Sequence, residues 1–213
     1  VISFSMIRYY NWSVVLTYVG LAAPIIGITF ALQGDIRVAG MLIMVSSVCD
    51  MLDGQVARVI KRSEPAKRFG IQIDSLCDLV CFVVFPALIG YGLGIRGVIG
   101  TLAMIFFVLC GVIRLAYFNV HEEERQEQTS ERRKYYQGLP ITTSGALAPI
   151  CLMLTLALGG NFKIVYTVFL FVVGLAFVID FPVKKPHGVF KWILLIVDIT
   201  IFVCICCFGG RIA

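Results

Sequence analysis

Apolar residues fill long runs of this chain, and polar residues collect in the short stretches between them. Seven apolar runs can be read, approximately Trp12–Gln33, Ile36–Ile60, Phe69–Gly94, Gly97–Val120, Ile141–Leu158, Phe162–Asp180 and Phe190–Phe208. A helix rises about 1.5 Å per residue, so each run predicts a helix able to cross a hydrocarbon layer of about 30 Å. Trp, Tyr or Phe stand in the first or last turn of several, where interface anchors belong. Pro149 interrupts the fifth run, and inside a spanning helix it predicts a kink.

The connections alternate in charge. One set carries 14 of the 18 Lys and Arg, among them Arg8, Arg58, Lys61, Arg62, Lys67, Arg68, Arg114, Arg125 and the cluster Arg132-Arg133-Lys134. The other set holds only Arg37, Arg96, Lys163 and Arg211. Cytoplasmic loops of membrane proteins are enriched in Lys and Arg, so the N-terminus and the long loops are expected in the cytoplasm. The segment His121–Gly138 reads as a solvated cytoplasmic connection, with His121 and His187 in loops.

Composition narrows the class. Of 213 residues, 59% are hydrophobic and 15% charged, with a mean hydropathy of +0.93. Soluble domains average roughly 45–50% apolar and about 25% charged residues. A soluble globular enzyme, a disordered chain and a nucleic-acid-binding module are excluded. The expectation is an all-α polytopic transmembrane helical bundle of six to eight spans, seven as read, forming a single domain over residues 1–213. The first residues carry no cleavable-signal pattern, and a cell (inner or plasma) membrane is the expected location. The eight cysteines lie in apolar stretches without metal-ligand spacing, so they read as buried thiols acting as small hydrophobes.

Acidic residues give the chemistry. Most of the 13 lie between the runs, but Asp50, Asp53, Asp74 and Asp78 lie inside two of them, with Asp198 an isolated fifth. An ionised Asp at the centre of a spanning helix costs about 2.5–3.5 kcal/mol, and such residues mark functional sites by default. Asp50 and Asp53 are three apart, and Asp74 and Asp78 four apart, so each pair shares a helix face. Both pairs flank the short basic loop Val59–Phe69. Two antiparallel helices can then bring four carboxylates together. Oxygen ligands of this kind select Mg²⁺, Ca²⁺ or Mn²⁺. Four carboxylates can hold two such ions about 3.5–4 Å apart, an arrangement that clamps phosphoryl oxygens. Gly54 sits in a helix interior at a cost of about 1 kcal/mol relative to Ala, which implies close approach of a ligand. Arg58, one turn on, can donate a fork to phosphate. Gly70 is expected to open the third helix and offer N–H groups to an anion.

Written out, Asp50-x2-Asp53-Gly54-x2-Ala57-Arg58, then eleven residues, then Gly70-x3-Asp74-x3-Asp78, resembles the signature of the CDP-alcohol phosphatidyltransferase family. The gap is longer than the family's usual seven or eight residues. The resemblance implies a membrane enzyme, often a homodimer, that moves a phosphatidyl group from CDP-diacylglycerol to an alcohol and releases CMP. It further implies that Asp50, Asp53, Asp74 and Asp78 hold two Mg²⁺ or Mn²⁺ ions. Asp78 would also act as general base, and Gly54, Ala57, Arg58, Gly70 and Ser75 would contact CDP-diacylglycerol.

Three further stretches resemble the serine-transferring branch. They are Gln72-Ile-Asp-Ser-Leu-Cys-Asp-Leu-Val80, Arg114-Leu-Ala-Tyr-Phe-Asn-Val120 and Tyr135-Tyr-Gln-Gly-Leu-Pro-Ile141. Tyr117 replaces an Arg usual in that branch, and Thr142-Thr143 replace Pro-Ala. L-serine is therefore the expected acceptor, with Arg114, Asn119, Lys134, Tyr136 and Thr143 as its expected pocket. Glycerol 3-phosphate or inositol phosphate is the alternative acceptor within the class. A divalent-cation transporter is the rival from another class, and it predicts acids spread across the bilayer rather than clustered on one side.

Overall fold

The computed structural model describes residues 12–60, 63–128, 135–158 and 162–184, with Thr200 and Val203. The seventh run, with Asp198, lies outside the described residues, apart from those two positions, as do Lys134 and His187. The first six runs are helical. They form α1 (Trp12–Leu32), α2 (Ile36–Val59), α3 (Glu64–Leu79), a π-helical turn (Val80–Val84), α4 (Phe85–Gly92), α5 (Gly97–Gln128), a 3-10 turn (Ile141–Thr143), α6 (Ser144–Leu158) and α7 (Phe162–Val178). α6 continues as helix through Pro149. The helices form an all-α bundle. One small addition is an antiparallel ribbon of β1 (Tyr135–Gln137) and β2 (Pro182–Lys184), with Tyr136 opposite Val183.

Two boundaries differ from expectation. α3 begins at Glu64 rather than near Phe69, because Ser63-Glu64-Pro65 supplies an N-cap position, a first-turn acid and a proline in the first turn. Gly70 is therefore nearly two turns inside the helix and offers no terminal N–H groups. α5 runs past Val120 to Gln128, which places His121 in a helix rather than a loop. The extension is rich in Glu and Gln, good helix formers, and Glu122 pairs with Arg125 three residues on.

Among the described residues, three helical stretches are long and apolar enough to span a bilayer: Val14–Leu32, Glu64–Gly92 and Gly97–Arg125. α2 is long enough at 24 residues but carries the acids, and α6 and α7 are shorter apolar helices. α5 shows the two-faced pattern of a lipid-exposed helix. Val98, Leu102, Ile105, Leu109 and Ile113 are exposed, while Ala103, Phe107, Cys110 and Arg114 are buried. Both sets recur every three or four residues, on opposite faces. The aromatic contacts of Phe107 with Phe169 and Phe177 join α5 to α7.

Lipid is as apolar as leucine, so helices in it associate through close van der Waals packing and hydrogen bonds. Small residues permit that approach here. A Cβ on Gly27 would overlap the Phe85 ring, and one on Gly111 would overlap Val83. Prolines supply the hydrogen-bonding sites. Pro24 has no N–H for the carbonyl four residues back, Gly20, and the Ser46 hydroxyl donates to that oxygen at 2.7 Å. Pro86 likewise leaves the Phe82 carbonyl without its helical donor, and the Ser144 hydroxyl donates there instead. Each replacement bond ties two helices together.

At Gly92 a Cβ would lie 2.8 Å from Ile36 Cδ1 and 2.9 Å from the Ala31 carbonyl carbon. Gly92→Val is expected to destabilise the bundle by about 1–3 kcal/mol through overpacking. Thermal unfolding in detergent checks this, and an unchanged Tm would contradict the close α1–α4 approach.

Candidate active site

α1, α2 and α3 enclose the acids. α1 packs along α2 and also against α3, so the site has three walls where the sequence suggested two. Asp50 lies more than two turns before the end of α2, and Asp74 and Asp78 occupy the last two turns of α3. Each of Asp50, Asp74 and Asp78 places a carboxylate oxygen within 4.8 Å of the other two. Asp50, Asp53 and Asp78 line one cleft with Thr17, Gly20, Ser46 and Cys81. Immediately after α3 the π-helical turn adds a residue to the helical repeat, which re-phases Phe82, Val83 and Phe85 into the core.

Asp53 stands apart from the other three. It is 4% exposed and accepts a hydrogen bond of 2.7 Å from the Thr17 hydroxyl of α1. On the same face of α1, one turn along, the Gly20 carbonyl accepts from Ser46 of α2 and from the Cys81 thiol at 3.7 Å. The sequence reading missed Thr17. A lone Thr in an apolar run has no motif around it, and its only signal would have been its position one turn before Gly20.

The remaining expected residues divide. Gly54 follows Asp53 on α2, and a Cβ there would meet nothing within 4 Å among the described residues. Ala57 and Arg58 occupy the last turn of α2, and the Arg58 side chain lies outside the described residues. Ser75 is buried and donates to the Asn119 side-chain carbonyl at 2.9 Å, so one residue expected to face CDP-diacylglycerol and one expected to face the acceptor are joined. Arg114 is 6% exposed. Its Nε donates to the Leu139 carbonyl at 3.0 Å and its Nη2 to the Gly138 carbonyl at 3.4 Å. It thus grips the Gly138-Leu139-Pro140 turn. That turn also holds the end of α7, where the Leu139 N–H donates to Ala176 at 3.1 Å. The Thr143 hydroxyl closes its own turn on the Pro140 carbonyl. Tyr117 donates to the Gln137 side chain at 3.0 Å and stacks on His121. Tyr136 lies in β1, with its side chain outside the described residues.

The donor set fits a divalent cation. Two ligands on opposite sides of an ion at 2.0–2.4 Å stand roughly 4–4.8 Å apart, so the separation of the three oxygens lies within reach of a common ion. All three are carboxylates, the ligand type that favours Mg²⁺, Ca²⁺ or Mn²⁺ over Zn²⁺. The thiols of Cys77 and Cys81 are buried nearby and unbridged.

A sequence model of CDP-alcohol phosphatidyltransferases matches residues 10–203. This span contains all the acids of the cleft, and the chain belongs to that family. It is a membrane-embedded member. Relatives agree with the placement. The CDP-diacylglycerol–serine O-phosphatidyltransferase of Saccharomyces cerevisiae is 36% identical over 152 residues, covering 68% of this chain and 54% of the yeast protein. The enzyme of the same name from Mycobacterium bovis is 31% identical over 179 residues, covering 82% of this chain and 61% of its own. An archaetidylserine synthase of Methanothermobacter thermautotrophicus is 32% identical over 127 residues, covering 59% of this chain and 51% of the archaeal protein. The chain thus spans between half and about three-fifths of the length of these relatives.

Two glycines near the site should respond in opposite ways. Gly138 has φ +71°, and a Cβ there would lie 2.8 Å from the Ile179 carbonyl. Gly138→Ala is expected to cost at least about 1–2 kcal/mol from the left-handed backbone alone. Gly54→Ala, in a helix with open space beside it, should leave stability unchanged or raise it by up to about 1 kcal/mol. Unfolding curves of the two variants check the contrast, and equal effects would contradict it.

Proposed function

We propose that this protein transfers the phosphatidyl group of CDP-diacylglycerol to the hydroxyl of L-serine, giving phosphatidylserine and CMP. The observation that carries the reading is the meeting of Asp50, Asp74 and Asp78 from two helices at the family signature. Serine is favoured as acceptor by the names of the relatives and by the stretches Gln72–Val80, Arg114–Val120 and Tyr135–Ile141. Tyr117, at the position where that branch usually carries Arg, is engaged with Gln137 and His121. The reading takes the protein to be a homodimer in the cell membrane, as a single domain with its N-terminus and active site on the cytoplasmic side.

Each residue has a task in this reading. Asp50, Asp53, Asp74 and Asp78 hold two ions, Mg²⁺ or Mn²⁺. Bound there, the ions supply Lewis-acid neutralisation of the diphosphate. Gly54 leaves room for the CDP diphosphate beside α2, Ala57 and Gly70 keep the adjoining faces small, and Arg58 donates to the phosphate oxygens. Asp78 takes the proton of the serine hydroxyl as its oxygen attacks the lipid-bearing phosphorus. The bond from that phosphorus to the bridging oxygen breaks, and CMP leaves with the electron pair. The Ser75–Asn119 bond fixes α3 against α5 beside the acids. Arg114 and Thr143 order the Gly138-Leu139-Pro140 turn, and with Asn119, Lys134 and Tyr136 they surround the acceptor.

Clustering of Asp50, Asp53, Asp74 and Asp78 where α2 and α3 meet argues against a transport path. The decisive assay is CMP release in proteoliposomes containing CDP-diacylglycerol, with L-serine, glycerol 3-phosphate or inositol phosphate supplied in turn. Release should require serine, stop with EDTA and return with Mg²⁺ or Mn²⁺. Release with another alcohol alone would reassign the acceptor. No release with any alcohol, together with cation flux, would favour a transporter.

Two substitutions refine the assignment. Asp78→Asn should lower CMP release about 10²–10⁴-fold, the range expected for loss of a general base, while CDP-diacylglycerol still binds. Gly54→Ala should weaken CDP-diacylglycerol binding in a protein of undiminished stability. Full activity in Asp78→Asn would sink its role as base.

A further inference from the structure

We infer that Thr17 of α1 is a positioning residue that sets the divalent-cation affinity of the acid cleft through Asp53. The inference rests on the proposed reading of that cleft as a cation site. Asp53 is almost fully buried, and its carboxylate receives the Thr17 hydroxyl at 2.7 Å across 36 positions of sequence. A hydroxyl donating to a carboxylate is a charge-assisted bond, roughly twice as strong as a neutral one. Thr is β-branched and confined to two χ1 wells in a helix, so α1 limits its hydroxyl to two directions, and the one adopted reaches Asp53. The bond therefore selects the orientation of Asp53. Asp53 needs such selection, because Asp50, Asp74 and Asp78 form the close cluster without it.

The position of Thr17 is itself fixed from two sides. One turn along α1, the Gly20 carbonyl, left without its helical donor by Pro24, accepts from Ser46 of α2 and from Cys81 just beyond α3. A Cβ on Gly20 would stand 3.0 Å from Cys49 Cβ, so α1 and α2 touch closely at this level. These contacts hold α1 in register with both acid-bearing segments. Thr17, Gly20, Ser46 and Asp53 all line the same cleft. The carboxylates come from α2 and α3, and α1 adds the donor that orients the one lying outside their cluster. Partners of this kind, which bind a ligand rather than the ion, alter metal affinity by about 10–100-fold when removed.

The test is Mn²⁺ binding to detergent-purified protein stripped with EDTA, with free Mn²⁺ read by electron paramagnetic resonance. Thr17→Val keeps the side-chain shape and removes the donor. It should weaken Mn²⁺ binding about 10–100-fold. Thr17→Ser restores the hydroxyl and should bind within about threefold of the wild type, since the carboxylate keeps its partner. Placed on Asp53→Asn, Thr17→Val should cause no further weakening, because its effect passes through the Asp53 carboxylate. Thr17→Ala provides the same readout if the valine variant loses its cooperative unfolding transition. Wild-type Mn²⁺ affinity in a folded donorless variant would overturn the inference and leave the cation site standing. So would an equal loss on the Asp53→Asn background, which is what packing alone would give. Failure of the wild type to bind Mn²⁺ would overturn both readings.

Discussion

The structure depends on keeping carboxylates inside an apolar bundle. An ionised Asp in the middle of a spanning helix costs about 2.5–3.5 kcal/mol even on the lenient scale, and this chain places four in two consecutive helical segments. Three of them bring oxygens within 4.8 Å of one another, which multiplies the cost by repulsion. Such an arrangement persists when it binds something of opposite charge. Oxygen donors at this spacing suit a hard divalent cation, and a cation there suits a diphosphate. The chemistry proposed for the protein follows from that single constraint.

The surrounding helices are shaped to sustain it. Little hydrophobic force holds helices together in lipid, so tight packing and interhelical hydrogen bonds must do so. Pro24 and Pro86 each free a carbonyl, and Ser46 and Ser144 from neighbouring helices donate to them. The free acceptors thus arise where a proline removes a helical hydrogen bond, close to the cleft. Arg114 of α5 also donates to backbone carbonyls. Its buried guanidinium holds the Gly138-Leu139-Pro140 turn, and that turn in turn meets the end of α7. A cation expected to touch substrate has at least two of its donors committed to the protein's own backbone.

Much of this was legible in the sequence, for identifiable reasons. Six apolar runs became helices because each is long and uniformly apolar, and the acids stood out because hydropathy forbids them there. The spacing of Asp74 and Asp78 predicted their shared face correctly. Other features were hidden because they depend on distant partners. Nothing local marks Thr17 as the donor to Asp53, 36 residues away. The start of α3 was misplaced because hydropathy begins at Phe69 whereas the helix begins at the capping sequence around Ser63. The end of α5 was misplaced for the converse reason, since Glu122–Gln128 is polar yet helix-forming. The ribbon of β1 and β2 pairs segments nearly 50 residues apart with no alternating pattern in either.

The most direct measurement of the central claim is anomalous X-ray scattering at the manganese edge from crystals grown with Mn²⁺ and CDP-diacylglycerol. Anomalous peaks are expected in coordinating range, about 2.0–2.6 Å, of oxygens of Asp50, Asp74 and Asp78, with the diphosphate against the same ions. A diphosphate bound in the cleft without manganese, or manganese bound elsewhere in the bundle, would contradict the assignment of these acids.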